Sequence, residues 1–99
     1  MKVRNMISNS GNKVANQFIL TESYEDSYKC GKEVFQSYDS IIIEKVYYNS
    51  GHCDIYLDEA TWDYSATTGK YRNQFLGEGI AETRKKIESG EYKLTNLND

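Results

Sequence analysis

Residues 62–79, WDYSATTGKYRNQFLGEG, are where this chain changes period, and their reading decides the fold. Tyr71 and Phe75 stand at i, i+4 with Leu76 beside them, the spacing of one helix face. Thr67 or Thr68 can serve as N-cap, and Gly77 and Gly79 break the helix on either side of Glu78. A second helix is expected over about 79–89, with Ile80, Arg84 and Ile87 on one stripe. Lys85 and Lys86 fall in its last turns, where positive charge suits the helix dipole, and Gly90 follows as a C-terminal cap.

Upstream of this stretch the period is two. CDIYL (53–57) alternates cleanly, with Cys53, Ile55 and Leu57 on one face and Asp54 and Tyr56 on the other. Asp58 closes that strand and is placed to cap a short helical turn through Trp62. Asn49-Ser50-Gly51-His52 reads as a hairpin turn. Before it lie EVFQSY (33–38) and SIIIEKVYY (40–48), both rich in β-branched and aromatic residues and parted at Asp39. The run Ile41-Ile42-Ile43 predicts a central strand buried on both faces near its start. Residues 22–32 are polar, acidic and without period, as expected of a loop or hairpin tip. A first hairpin covers 2–21, turning at Asn9-Ser10-Gly11-Asn12. In its return strand Val14, Phe18 and Leu20 share one face, and Ala15, Gln17 and Ile19 the other. Tyr92, Leu94 and Leu97 predict a last short strand.

The architecture that follows is α+β: an antiparallel sheet of about five to six strands with one or two helices packed on one face, the helices in the C-terminal half. Residues 1–99 read as a single domain. Cys53, Ile55, Leu57, Ile41, Ile43, Phe18, Trp62, Phe75, Ile80 and Ile87 form the expected buried set.

Charge is segregated along the chain. Residues 1–21 carry +3, residues 22–63 carry −7 from ten acids against three lysines, and residues 64–99 carry +1. A general nucleic-acid binder would show a basic face, so direct nucleic-acid binding is not expected. No run approaches the about 18 apolar residues of a membrane span. Lys-Val-Arg-Asn follows Met1 with no apolar core region, so a reducing cytoplasm is expected, with Cys30 and Cys53 as free thiols.

Catalytic constellations are missing from the pattern. His52 and Cys53 adjoin in a hairpin, where neighbours point to opposite faces, so they form no nucleophile–base pair. Zinc needs three or four Cys, His or carboxylate ligands, and their spacing here supplies none, so no metal or cofactor is expected. Gly77-Glu78-Gly79 is neither a phosphate-binding loop nor a dinucleotide fingerprint. Tyr71-Arg72-Asn73-Gln74 is the most suggestive polar run. With Tyr71 and Phe75 inward, Arg72 and Asn73 fall on other faces, free to meet solvent or to pair with the acidic sheet edge.

The tracts VRNMISNSGNKVANQF (3–18), FQSYDSII (35–42), WDYSATTGKYRNQFLGE (62–78) and KKIESGEYKLTNLN (85–98) resemble a family of short phage and prophage proteins of uncharacterised function. The resemblance spans most of the chain and carries over no catalytic residue. It implies a non-enzymatic protein acting in the cytoplasm of a bacterial host cell. The leading expectation is an inhibitor of host defence, an anti-CRISPR acting by stoichiometric contact with an effector protein through that effector's basic nucleic-acid-binding surface. Its contact face would be Asp54, Asp58, Glu59 and Asp63, with Glu22, Glu25 and Asp26 as a second set. The alternative is a module that sequesters a small ligand or nucleotide through Lys70, Tyr71, Arg72 and Asn73.

Overall fold

A computed structural model describes every residue except 26, 27 and 99. Among the described residues the chain runs β1 (Lys2–Ile7), β2 (Lys13–Ser23), β3 (Lys29–Ser37), β4 (Ser40–Tyr48), β5 (Cys53–Asp58), α1 (Ala66–Leu76), α2 (Ile80–Glu88) and β6 (Tyr92–Thr95). The fold is α+β, with one six-stranded sheet in the order of the sequence. The pairs from β1 to β5 are antiparallel, as short turns between neighbours require. The pair β5–β6 is parallel, against the expectation of an all-antiparallel sheet. The helices lie between these two strands and carry the chain back to the end where β5 began, which is what a parallel neighbour needs.

One sheet face carries the helices. Ile19, Phe35, Ile43 and Leu57 lie in cross-strand register on that face, and the last three are fully buried. The Phe75 ring of α1 stacks on Phe35 at 5.7 Å, and the Ser37 and Thr68 hydroxyls meet at 2.8 Å. Met6, Tyr71 and Tyr92 complete the core. Across the sheet Val34 and Val46 are also buried, beside an ion pair of Lys32 with Glu44 at 4.0 Å.

Two bulges correct the expected register. Asn16 takes φ 65°, and the β1–β2 pairing slips there, so Val14 and Ile19 both pack on the core while Phe18 and Leu20 turn to the other face. In β4 the pairs Phe35–Ile43 and Gln36–Ile41 leave Ile42 as the extra residue. Ile42 and Ile43 therefore both join the one core, whereas a flat strand would have put them on opposite faces. Of the expected buried set, Ile43 and Leu57 are fully buried, and Ile55, Trp62, Phe75 and Ile87 pack against the core. Phe18, Ile41, Cys53 and Ile80 are half-buried and lie outside it. Cys30 and Cys53 are free thiols.

The Asn16 bulge has a second effect. It turns Gln17 into the interior, fully buried opposite Ser37, with neither amide atom hydrogen-bonded among the described residues. Burying an unsatisfied amide costs about 1–3 kcal/mol. Gln17→Met, similar in length and without that polar head, is expected to raise stability by about 1 kcal/mol. Urea denaturation checks this, as an increase in midpoint at unchanged slope.

Candidate functional site

The site begins where β5 ends. Asp58 is 2% exposed, and its Oδ2 accepts from Ala60 N (3.2 Å), Thr61 N (2.9 Å) and Thr61 Oγ1 (2.8 Å). Those bonds bend the chain out of the sheet, and Trp62 N donates to Asp58 O at 3.0 Å. Ser65 follows as the N-cap of α1, where its Oγ accepts from Thr68 N at 3.1 Å. The cap is thus two residues before Thr67, because Thr68 turns inward to Ser37.

One turn along α1, Arg72 folds back against this segment. Its Nη1 donates to Trp62 O (2.9 Å) and Asp63 Oδ1 (3.3 Å), and its Nε and Nη2 donate to Asn73 Oδ1 (3.3 and 2.9 Å). The guanidinium also lies 5.6 Å from the Trp62 ring centroid. The guanidinium lies over Gly69, at ordinary contact distance from where a Cβ there would stand. The Arg72 side chain is 3% exposed, so it does not meet solvent as a solvated helix face would. Arg84 arrives from α2 and donates through Nη2 to Asp63 Oδ2 at 2.9 Å. Two guanidinium groups therefore grip one carboxylate.

Around this clamp an open cleft of about 770 Å³ is lined by Tyr64, Ser65, Gly69, Lys70, Arg72 and Arg84, among others. Lys70 stands at its rim, with Nζ 5.4 Å from the Tyr71 ring centroid. Tyr64 is half exposed there. Of the residues expected to bind a small ligand, Lys70, Arg72 and Asn73 line this cleft; Tyr71 does not, because its ring is part of the core. Arg84 was not singled out from the sequence. The signal was an arginine on the Ile80–Ile87 stripe, where an apolar residue would otherwise stand.

The expected acidic face is not assembled. Asp58 is internal and engaged by four donors, Leu97 N at 2.8 Å being the fourth, so it cannot contact a partner. Asp63 is neutralised by Arg72 and Arg84. Asp54 opens β5 where Asp58 closes it, about 13 Å away along an extended strand. Glu59 and Glu25 are exposed, Glu22 is half-buried, and Asp26 lies outside the described residues. Burial pushes the Cys53 thiol up, away from the reactive thiolate.

The profile of a protein family described as a family of unknown function, DUF8033, matches residues 1–92. The chain belongs to the DUF8033 family. Neither a curated protein nor a solved structure matches it. The DUF8033 match includes both helices and so the whole cleft.

In this DUF8033 chain the joint between the helices is held by Glu78. Its side chain is 8% exposed and accepts from Lys86 Nζ (2.7 Å), Thr83 Oγ1 (2.7 Å) and the Tyr92 hydroxyl (2.8 Å). Burial pushes the Glu78 carboxyl up, but the bonds from Lys86, Thr83 and Tyr92 outweigh it and leave it below the usual carboxylate range. Burial and the bond to Glu78 push Tyr92 up to about 12. At Asp58 burial again acts upward and is outweighed by bonds from Leu97, Thr61 and Asn98. Both folded carboxyls thus lie below their unfolded values. Their stabilisation is in place above the unfolded range, about pH 4, and is lost as pH falls through the depressed folded values. Thermal melts from pH 7 to pH 3 are expected to show a drop beginning near pH 4, and Glu78→Gln is expected to shrink it. At pH 7 that variant should be less stable by about 1–3 kcal/mol.

Proposed function

We propose that this chain is a non-enzymatic binding module whose ligand is a phosphate-bearing small molecule of nucleotide size, held in the cleft between α1 and α2. The observation that carries this reading is the pair of guanidinium groups closed on Asp63, one buried and one exposed, beside a third cation at Lys70. Arginine forks suit planar or tetrahedral oxyanions, and a fork fixed in advance loses less entropy on binding. In the free protein Asp63 occupies that grip as an internal counter-ion. A stronger anion would share or replace it. The first-turn amides of α1 face no intrahelical acceptor and add a favourable end of the helix dipole. The half-exposed Tyr64 ring offers a surface on which a base can stack.

On the resemblance to short phage proteins we propose that such a module acts in the cytoplasm of an infected bacterium, where withdrawing a signalling nucleotide would relieve host defence. No helix among the described residues is long and apolar enough to cross a membrane. Inhibition by contact of an acidic face with a defence effector has less support. Of its two residue sets, Glu25, Glu59 and Asp63 are exposed among the described residues, and Asp63 is already paired with Arg72 and Arg84.

Thermal-shift and calorimetric titration with inorganic phosphate and a library of mono-, di- and cyclic nucleotides tests the reading. A saturable rise in melting temperature that weakens with added salt is expected. Lys70→Ala with Arg84→Ala should weaken binding at least about tenfold while leaving the ligand-free melting temperature nearly unchanged, since both side chains are exposed. Asp63→Asn, which removes the competing charge yet can still accept from Arg72, should tighten it. The reading fails if no phosphate-bearing compound produces a saturable shift, or if Asp63→Asn weakens binding.

A further inference from the structure

A second cavity, of about 420 Å³, lies at the other end of β5 and does not depend on the cleft reading. Its floor is the β4–β5 hairpin, where Gly51 at φ 92° allows the tight turn. Tyr48 N donates to His52 O at 2.9 Å and Gly51 N to Tyr48 O at 3.0 Å. Asn49 N donates to Tyr28 O at 2.9 Å, which ties the segment before β3 onto the hairpin. The lining is Tyr28, Tyr48, Asn49, Ser50, His52 and Asp54.

Three rings and one carboxylate converge there. Tyr28 and Tyr48 meet edge to face at 5.3 Å, and the His52 ring stacks on Tyr48 at 5.6 Å. Asp54 Oδ2 accepts from the Tyr48 hydroxyl at 2.9 Å, and Asp54 Oδ1 is bonded to His52 Nε2 at 2.8 Å. The bonds from His52 and Tyr48 hold the Asp54 carboxyl below the usual range, so it stays ionised at neutral pH. Each carboxylate oxygen retains acceptor capacity after one bond. Tyrosine rings present negative faces, and a hydroxyl that donates to a carboxylate leaves its ring richer in electrons.

This combination repels anions and gives a metal ion one carboxylate whose neighbouring ring nitrogen is already engaged. Among the described residues no three His, Cys, Asp or Glu side chains gather as a metal site. A flat organic cation meets every group in the cavity. We propose that this cavity is a guanidinium-binding site, taking the side chain of an arginine with its plane against one of the two tyrosine rings and its N–H groups on Asp54. A guanidinium stacks on aromatic faces and forks onto a carboxylate, which an ammonium does less well. The source is a free guanidino compound or an arginine of a polypeptide, and the recognition chemistry is the same for both.

Backbone-amide NMR titration of the full chain with methylguanidinium, N-acetylarginine amide, an arginine-containing peptide, tetramethylammonium and N-acetylcitrulline amide tests this. Saturable shifts at the six lining residues are expected with the guanidinium compounds, and none with the neutral citrulline isostere. The peptide binding more tightly than methylguanidinium identifies a polypeptide source, and equal affinities identify a small molecule. Asp54→Asn should weaken binding about tenfold. Tyr28→Ala should weaken it several-fold, and because that ring is 68% exposed the melting temperature should hold. Three results each overturn the proposal: no saturable shift with any guanidinium compound, citrulline binding as well as arginine, or Asp54→Asn without effect. Saturation by tetramethylammonium alone overturns the guanidinium assignment.

Discussion

A single buried carboxylate, that of Asp58, holds both ends of the helical crossover. It lies at the last residue of β5, opposite Thr95 at the end of β6. Its oxygens accept from the turn that leaves β5 and from Leu97 N just beyond β6. A buried charge is tolerated where enough donors replace water, and four do so here. The tail that Asp58 anchors then reaches β4. Asn98 Nδ2 donates to Ile41 O at 2.8 Å, and Ile41 N donates to Asn98 Oδ1 at 2.6 Å. The Asn98 amide thus pairs with the Ile41 backbone, beyond the Ile43–Leu57 pair of the β4–β5 ladder. With the turn fixed, Trp62 O points at Arg72, and the cleft inherits its shape from a residue that does not line it.

The crossover explains why the helices are so polar. α1 contributes Tyr71 and Phe75 to the core side, yet Thr68, Gly69 and Arg72 are buried as well. Those three are accommodated by particular partners: Thr68 by Ser37, Arg72 by Trp62, Asp63 and Asn73, and Gly69 by the guanidinium that lies over it. α2 is positioned by Ile87 against the core and by bonds that tie it, through a residue just before it, to the strand after it. Glu78 binds Thr83 and Lys86 of the helix and Tyr92 of β6, so one side chain joins the helix to the strand that follows it. Helices without a wide apolar stripe are stable here because tertiary contacts, rather than propensity, supply most of the stabilisation.

How much of this was legible follows from what each signal can carry. Period-two alternation located β5, β-branched and aromatic content located β4, and the Tyr71–Phe75 spacing with its closing glycine located α1, because those patterns are local. The bulges at Asn16 and Ile42 were invisible, since a bulge is an extra residue relative to a partner strand and not a property of one strand. The strand β6 was expected, but its parallel direction was missed for a similar reason: four residues with two apolar positions do not state a direction. Asp58 was expected to cap the turn after β5, which it does, and also to face a partner; Arg72 was expected to meet solvent or an acidic partner, and it takes Asp63. What no local pattern shows is their burial: Asp58 and Arg72 are engaged by groups 2 to 39 and 1 to 10 residues away, and that set of partners exists once the chain is folded.

The two cavities then divide the molecule electrically in a way its net charge of −3 conceals. Lys70, Arg72 and Arg84 against Asp63 make the cleft positive, and Asp54 makes the hairpin cavity negative. They lie toward opposite ends of β5, where Asp54, which lines one, and Asp58, whose turn shapes the other, stand about 13 Å apart along the strand. The Debye length at physiological ionic strength is about 8 Å, so through solvent each site is largely screened from the other. The overall acidity therefore does not forbid an anion in the cleft, and the basic cleft does not forbid a cation at the hairpin. Local geometry decides both. Each cavity also carries an internal partner for its own charge: Asp63 for the arginines, and the Tyr48 hydroxyl with His52 for Asp54. Such partners hold the charged groups in position without ligand, and the gain on binding is the difference between the internal partner and the incoming one.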